Sequence, residues 1–276
     1  MDYDIEKANK KAPTISILMG VYQTDKGIPL LIRSIESMLH QTFRDFEFLI
    51  CDTGSSERVC RPLDEYAAMD SRIRLIRKDG KITLPEKLNL CMENAQGMLI
   101  ARQDDDDVSL PRRLEIQCEF LKYHTDVGFV GCNVAIENNG CVVGERIFPA
   151  RPSVKDFRIS QPYCHPTLLF RREVLGQSPY DESKWCILCE DYDLLLRLYG
   201  DGIIGANLQE IHFWYHVSNV GFQKRKMKHR LNESVTRWKR FRKLGLLPRY
   251  VLYVIKPLIV GMMPNWLVNK LRRSHG

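Results

Sequence analysis

Between Thr14 and Arg102 the chain alternates short β-branched or apolar runs with segments whose apolar residues recur at helical spacing, and this alternation restricts it to a layered α/β architecture. Residues 14–21, 46–51, 73–76 and 98–102 read as strands. Between them, residues 29–40 place Leu31, Ile35, Met38 and Leu39 on one stripe, and residues 59–69 form a further helix. Residues 85–95 turn Leu88, Cys91 and Met92 inward before Gly97 stops that helix. Strands that are apolar along their length and joined by helical crossovers make a parallel sheet covered on both faces.

The fourth strand runs into four consecutive carboxylates, Asp104, Asp105, Asp106 and Asp107. Four like charges at the end of a buried strand repel one another unless a cation offsets them. Oxygen donors with no nearby His or Cys favour Mg²⁺ or Mn²⁺, ions that bridge to phosphate oxygens. An isolated acidic run is usually a solvated turn. Here it stands at the carboxyl edge of a strand inside a crossover pattern, where open α/β sheets bind ligands, so a phosphate ester is the expected substrate. Arg102 either braces the cluster or makes an ordinary strand-end ion pair. Pro111 is expected early in a helix over residues 111–124, with Ser109 capping its free amides. After the second strand, Asp52-Thr53-Gly54-Ser55 forms a turn whose small residues let backbone approach a ligand.

Beyond residue 127 the regular alternation breaks down. Residues 127–133 read as a strand, and Asn138-Asn139-Gly140 as the turn of a hairpin. The Pro-bearing polar stretch 147–163 is expected to form the acceptor side of a cleft, and residues 167–170 return to strand character. Residues 191–198 form a buried helix opened by Glu190 and Asp191, and acids at a helix N-terminus are explained by the dipole alone. His165, before Pro166, contacts acceptor or phosphate, or simply fixes a turn.

Charge divides the chain. From Phe222 onward 15 Lys and Arg face the single acid Glu233, a net charge of +14, whereas the first 221 residues carry −7. A dense basic helix is expected over residues 224–243, with Met227, Leu231, Val235, Trp238 and Phe241 as a stripe packed on the core. Residues 246–266 are apolar but broken by Pro248, Arg249, Lys256, Pro257 and Pro264, too interrupted for a spanning helix. Tyr250, Tyr253 and Trp266 suit a headgroup zone, and Lys270, Arg272 and Arg273 suit anionic lipid, so this tail is read as lying in a membrane interface. The competing reading is a helical pair packed on the globular part or forming a homodimer. Nine cysteines without an even framework and the polar start Met1-Asp2-Tyr3-Asp4 suggest a cytoplasmic protein. Cys186 and Cys189 have Cys-x-x-Cys spacing without a second such pair, so they are expected to be packed thiols.

Several segments, in order, resemble family 2 glycosyltransferases. They are Ile15-Ser16-Ile17-Leu18-Met19-Gly20-Val21-Tyr22, the run Ser34 to Phe43, Phe48 to Ser55, Ala101 to Leu114 with its Asp cluster, His165-Pro166-Thr167, and Glu190-Asp191-Tyr192-Asp193. The likeness implies a GT-A-type three-layer sandwich with a mainly parallel sheet, and inverting transfer of a hexose from a nucleotide-diphosphate sugar, expected to be UDP-linked, in bacterial surface polysaccharide synthesis. It implies that Asp52 contacts the nucleotide base with Tyr22 in the same pocket. Arg102, Asp104 and Asp105 are assigned to the nucleotide sugar, and Asp104 and Asp106 are the outer members of an Asp-x-Asp metal motif, Asp106 being the direct ligand. Asp191 would be the general base, oriented by Glu190. Two positions depart from the family: Thr53 stands where a second Asp is frequent, and Gly20 where Pro is frequent. The histidine often found near Tyr215-His216-Val217-Ser218 would fall on Ser218, so no histidine metal ligand is assigned. Thr236-Arg237-Trp238 is not the signature of the processive polymerases, which favours transfer of a single sugar.

The expected organisation is a loose segment 1–13, a catalytic domain 14–221 and a basic amphipathic helical tail 222–276. The tail would meet an anionic membrane on its cytoplasmic face and a lipid-linked saccharide acceptor, with no nucleic acid as partner. Two other functions fit the acids or the tail: nucleotidyl transfer to a sugar phosphate, and a non-catalytic module binding anions or nucleic acid.

Overall fold

The computed structural model describes residues 12–218 and 227–263, and its core is one nine-stranded mixed sheet. The first half alternates as the pattern requires: β1 (Ile15–Val21), α1 (Ile28–Leu39), β2 (Phe46–Asp52), α2 (Glu57–Met69), β3 (Ile73–Arg77), α3 (Leu84–Asn94) and β4 (Leu99–Arg102). These four strands are parallel, in the order β3-β2-β1-β4. Every residue of β1 and β2 is buried, because helices cover both sheet faces. Ile15, Ile17 and Met19 share one core with Leu31 and Ile35 of α1 and Val59 of α2. Leu18, Leu49 and Cys51, of opposite parity, share another with Leu88 and Cys91 of α3. Each such aliphatic side chain contributes about 1.5–3 kcal/mol on burial.

The second half comprises β5 (Val108–Ser109), α4 (Arg113–Tyr123), β6 (Phe129–Asn138), β7 (Cys141–Arg146), β8 (Leu169–Arg171), α5 (Glu190–Gly200) and β9 (Gly205–His216). The sheet continues β4-β8-β6-β9-β5, with β7 as a hairpin on β6. Here β8 runs antiparallel to both β4 and β6, while β9 is parallel to β6. Asn139 and Gly140 take positive φ at the hairpin turn.

The helix start after the acidic run differs from expectation. Val108 and Ser109 pair with Trp214 and Phe213 of β9, so this backbone is extended and Ser109 caps nothing. Its hydroxyl donates to Gln103 Oε1 at 2.7 Å. The helix begins later, at Arg113 with Arg112 as N-cap, and Pro111 precedes it.

The tail contains α6 (Met227–Lys243) and α7 (Val251–Met262). The expected core-facing stripe of α6 is overturned: only Phe241 is fully buried, while Met227, Leu231 and Trp238 are exposed. The face turned inward is polar, with Asn232, Ser234, Thr236 and Arg237 buried. It packs on irregular backbone whose carbonyls need donors, not on aliphatic side chains. Asn232 Nδ2 donates to Lys184 O at 3.0 Å, Thr236 Oγ1 to Trp185 O at 3.2 Å, and an Arg237 guanidinium N–H to Arg158 O at 2.9 Å. Among the described residues no helix is long and apolar enough to cross a membrane. The expectations for residues 1–11, for Lys224 and for Trp266, Lys270, Arg272 and Arg273 lie outside the described residues.

Candidate active site

The acidic run forms the loop between β4 and β5, and its members divide by role. Asp105 is buried and accepts from the Tyr22 amide at 2.5 Å and from Gln23 Nε2 at 3.1 Å, tying the loop to the end of β1. Asp107 is buried and accepts from the His216 amide at 2.7 Å, tying it to β9. Asp104 and Asp106, the alternate pair, are partly exposed. Arg102 is 1% exposed and its guanidinium donates to Asp104 Oδ1. This ion pair is common to both readings of Arg102.

One guanidinium against four carboxyls leaves the loop short of positive charge. Burial, then the Asp104 charge, pushes Asp105 up to about 6. Burial, then Asp104 and Asp105, pushes Asp106 up to about 7, and Asp107 is raised well above the ordinary carboxyl value by burial, then by Asp104 and Asp106. Asp107 Oδ2 is buried without a hydrogen-bond partner. Such a set fits a hard divalent cation, for which the partly exposed Asp104 and Asp106 supply oxygen donors. His216 is occupied elsewhere: its Nδ1 lies 2.8 Å from Glu137 Oε2, which also receives Arg33. One further cluster, Asp181, Cys186 and Asp193, has metal-ligand spacing among the described residues. Arg197 and Arg240 both donate to Asp193, and burial first pushes the Cys186 thiol up to about 12, so this cluster is already neutralised.

A pocket of about 370 Å³ brings together Asp104, His165, Glu190 and Asp191, within the size range of small-ligand sites. Glu190 and Asp191 open α5, where the dipole favours their charge. Gln161 Nε2 donates to Asp191 Oδ2 at 3.0 Å, and the Tyr192 amide to Oδ1 at 2.7 Å. Burial, then the Asp191 charge, raises Glu190 to about 7. His165 is buried with Nε2 3.0 Å from the Tyr180 hydroxyl, and burial holds its pKa well below the usual imidazole value. The ring is therefore neutral, and any ligand contact it makes is as a hydrogen-bonding partner and not as a cation.

A second pocket, of about 480 Å³, is lined by Tyr22, Thr53, Ser55 and Lys87 among others. Asp52 is buried beside it in sequence, accepting from the Ser55 hydroxyl and from the Cys60 thiol at 3.3 Å. Tyr22 connects the two halves, with its amide on Asp105 and its ring in this pocket. Asp106 lines neither pocket.

Sequence reasoning missed four residues here. Lys87 carries a signal in retrospect, a lysine on the inward stripe of α3 beside Leu88 and Cys91. Gln161 sits in a stretch without periodicity. Glu233 and Arg237 line the Asp191 pocket from α6, across a long separation in sequence that no local pattern marks.

A parallel half-sheet ending in a metal-suited acidic loop, beside a helix-borne carboxylate in a shared pocket, defines a GT-A glycosyltransferase. The chain belongs to glycosyl transferase family 2, an inverting family, whose model matches residues 16–177. EpsE of Bacillus subtilis (strain 168), named as a glycosyltransferase, is 33% identical over 264 residues, covering 95% of this chain and 94% of its own. The O-antigen biosynthesis glycosyltransferase WbnJ of Escherichia coli is 32% identical over 218 residues, 76% of this chain and 82% of its own. Also similar, at 27% over 215 residues and 78% and 81% coverage, is the Escherichia coli UDP-Glc:alpha-D-GlcNAc-diphosphoundecaprenol beta-1,3-glucosyltransferase WfgD. Two solved structures share the fold: S. aureus TarS 1-349 in complex with UDP, and the Pyrobaculum calidifontis mannosyltransferase PcManGT in complex with GDP-Man and Mn²⁺. The first has TM-score 0.61 and 17% identity over 88% of this chain and 72% of that one; the second 0.60 and 14% over 94% and 73%.

Proposed function

We propose that this glycosyltransferase moves one sugar from a UDP-sugar, in a metal-dependent inverting reaction, to a hydroxyl of a lipid-linked saccharide during surface polysaccharide synthesis. The observation that carries the reading is the shared pocket of Asp104 and Asp191, which sets an acid of the β4–β5 loop beside a carboxylate at the start of α5. The relatives above, acting in O-antigen synthesis and on a diphosphoundecaprenol acceptor, support the pathway and the lipid linkage.

In this mechanism Asp52 and Tyr22 hold the nucleotide base, and Arg102, Asp104 and Asp105 frame the diphosphate. Mg²⁺ or Mn²⁺ on Asp104 and Asp106 supplies Lewis-acid neutralisation of the leaving diphosphate when bound. Asp191 accepts the acceptor hydroxyl's proton as the new oxygen–carbon bond forms and the bond from the anomeric carbon to the diphosphate breaks. Gln161 and the Tyr192 amide fix the two carboxylate oxygens so that a lone pair faces the hydroxyl. One displacement inverts the centre and releases the nucleoside diphosphate without a covalent enzyme intermediate. Glu190, raised to about 7 by burial and the Asp191 charge, is partly protonated near neutrality and so lessens the negative charge beside the base.

Residues 14–221 act as the catalytic domain and residues 222–276 as a basic extension that docks the enzyme on the cytoplasmic face of an anionic membrane. Exposed Leu252, Ile255, Ile259 and Met262 recur at helical spacing along α7, beside exposed Leu231 and Trp238 of α6. Incubating the chain with UDP-sugars, Mn²⁺ and polyprenyl-diphosphate saccharides tests the reading: release of UDP with an extended lipid saccharide supports it, whereas no UDP release there together with release of pyrophosphate from UTP and a sugar 1-phosphate would establish nucleotidyl transfer in its place.

A further inference from the structure

The pocket that holds Asp191 contains one cation that the protein itself leaves unused. Two guanidiniums, Arg146 and Arg237, line it together with four carboxyl groups, those of Asp104, Glu190, Asp191 and Glu233. Arg237 is committed: it is buried, pairs with Glu233 at 3.0 Å, donates to Arg158 O at 2.9 Å and stands 4.7 Å from the centroid of the Tyr192 ring. Arg146 is exposed, and among the described residues its guanidinium makes no ion pair and no hydrogen bond. Its ring contact, 5.1 Å from the centroid of Phe148, holds the side chain without using its N–H groups. A guanidinium in an acid-rich pocket that pairs with none of those acids keeps its five N–H donors for a ligand.

The sheet fixes where that cation stands. Arg146 lies opposite Val134 in the β6–β7 pairing and Tyr215 opposite Ile136 in the β6–β9 pairing, so their side chains leave the same face of the sheet on either side of β6. Two strand spacings and two residues of rise put their backbones about 12 Å apart. Gly144, in one row with Ile136 and Tyr215, has nothing within 4 Å of an added Cβ, so the space beside Arg146 is open. The nucleotide end of the molecule is remote, because β4, β8 and β6 separate β7 from β1. From Arg146 the chain instead runs into the stretch that supplies Gln161, the residue bonded to Asp191. An anion held here belongs to the acceptor.

We propose that Arg146 determines acceptor specificity by receiving the phosphate on the anomeric carbon of the same sugar whose hydroxyl Asp191 deprotonates, so that the acceptor is a single sugar on a lipid diphosphate. This rests on the glycosyl-transfer reading above. A guanidinium meets two phosphate oxygens with two parallel N–H bonds, a fit that a sugar hydroxyl cannot reproduce. Arg146 and Asp191 share a pocket of about 370 Å³, room for one pyranose and its phosphate but not for a second ring between the phosphate and the reacting hydroxyl. The reaction that supplies such a substrate joins a sugar 1-phosphate to a lipid phosphate. One phosphoanhydride bond forms there as that of a nucleotide sugar breaks, and a nucleoside monophosphate leaves.

The test uses the full chain with Mn²⁺ and UDP-sugars and reads UDP release on hexoses and N-acetylhexosamines carried by a decyl chain in three forms: the monosaccharide diphosphate, the neutral monosaccharide glycoside and a disaccharide diphosphate. The parent is expected to favour the monosaccharide diphosphate over each of the others by at least about tenfold in kcat/KM, the scale of hydrogen bonds to a charged group. Arg146→Gln should raise KM for that acceptor at least about tenfold with kcat within about threefold, and should cut its advantage over the neutral glycoside to below about twofold. Arg146→Lys, which keeps the charge and loses the fork, should recover part of the advantage. UDP affinity, read by calorimetric titration, should stay within about twofold of the parent in both variants, because the nucleotide binds elsewhere. A parent that uses the diphosphate and the neutral glycoside equally well overturns the inference, as does one that favours the disaccharide. Equal loss of UDP affinity and acceptor KM in Arg146→Gln also overturns it, by placing Arg146 at the leaving diphosphate. A parent that binds UDP but releases none from UDP-sugars on any of these acceptors brings down the acceptor reading itself, and this inference with it.

Discussion

Asp104, in the loop that follows β4, and Asp191, in the first turn of α5, line one pocket. The first is engaged by Arg102 and the second by Gln161 and the Tyr192 amide, so the two carboxylates are held independently. Acids with separate supports can carry separate tasks, charge compensation at one and proton acceptance at the other.

Replacing the base isolates the second task. Asp191→Asn keeps shape and the Gln161 contact region but cannot take a proton, so turnover should fall by about 10²–10⁴. UDP affinity should stay within about twofold of the parent. Product assay together with titration reads both, and retained turnover would remove Asp191 from its role.

The metal assignment predicts a different pattern. Asp106→Ala should abolish the gain in UDP affinity and melting temperature on adding Mn²⁺, and chelation with EDTA should reproduce this in the parent. A variant with the parent's full Mn²⁺ response would show that Asp106 is not a ligand.

Glu190 gives a pH signature. Burial and the Asp191 charge raise its folded-state value to about 7, above its ordinary value, so the folded protein binds the proton more tightly than the unfolded chain. Its contribution to stability is therefore complete below the ordinary carboxyl value and is lost as pH rises through about 7. Glu190→Gln cannot ionise, so its melting temperature relative to the parent should climb between pH 4.5 and pH 8. A difference that stays flat over that range refutes the shift.

The exposed stripe of α7 makes membrane docking measurable. The parent chain should float with vesicles containing anionic lipid and sink with neutral ones, and the double variant Leu252→Asp, Ile259→Asp should sink with both. Turnover on a short soluble acceptor should be unaffected by the pair. Equal flotation of parent and variant would assign α7 another role.

The parallel half of the fold is legible in sequence because its signals are local: short runs in β1 and β2 that are apolar almost throughout and buried at every position, and period-3.6 stripes in α1, α2 and α3. The acidic loop is legible for the same reason, since no solvated turn explains a carboxylate run at a strand's carboxyl end. Ser109 misled because its partner in β9 lies far along the chain, and that long-range pairing overrides a good capping residue. The α6 stripe misled differently. Met227, Leu231 and Trp238 carry the helical period of a core face, but periodicity identifies an apolar stripe and not the surface that covers it. Carbonyls of Arg158, Lys184 and Trp185 demanded donors, and the polar side of the helix supplied them.

That inverted helix makes the far end of the polypeptide a buttress for the acceptor wall. Arg237 grips the backbone of the segment that supplies Gln161, and Thr236 grips the segment leading to α5 and Asp191. A chain cut after β9 would keep the strand ends that cradle a nucleotide but leave both lips of the acceptor opening unclasped, so it should still capture its donor while losing the means to aim an alcohol at it.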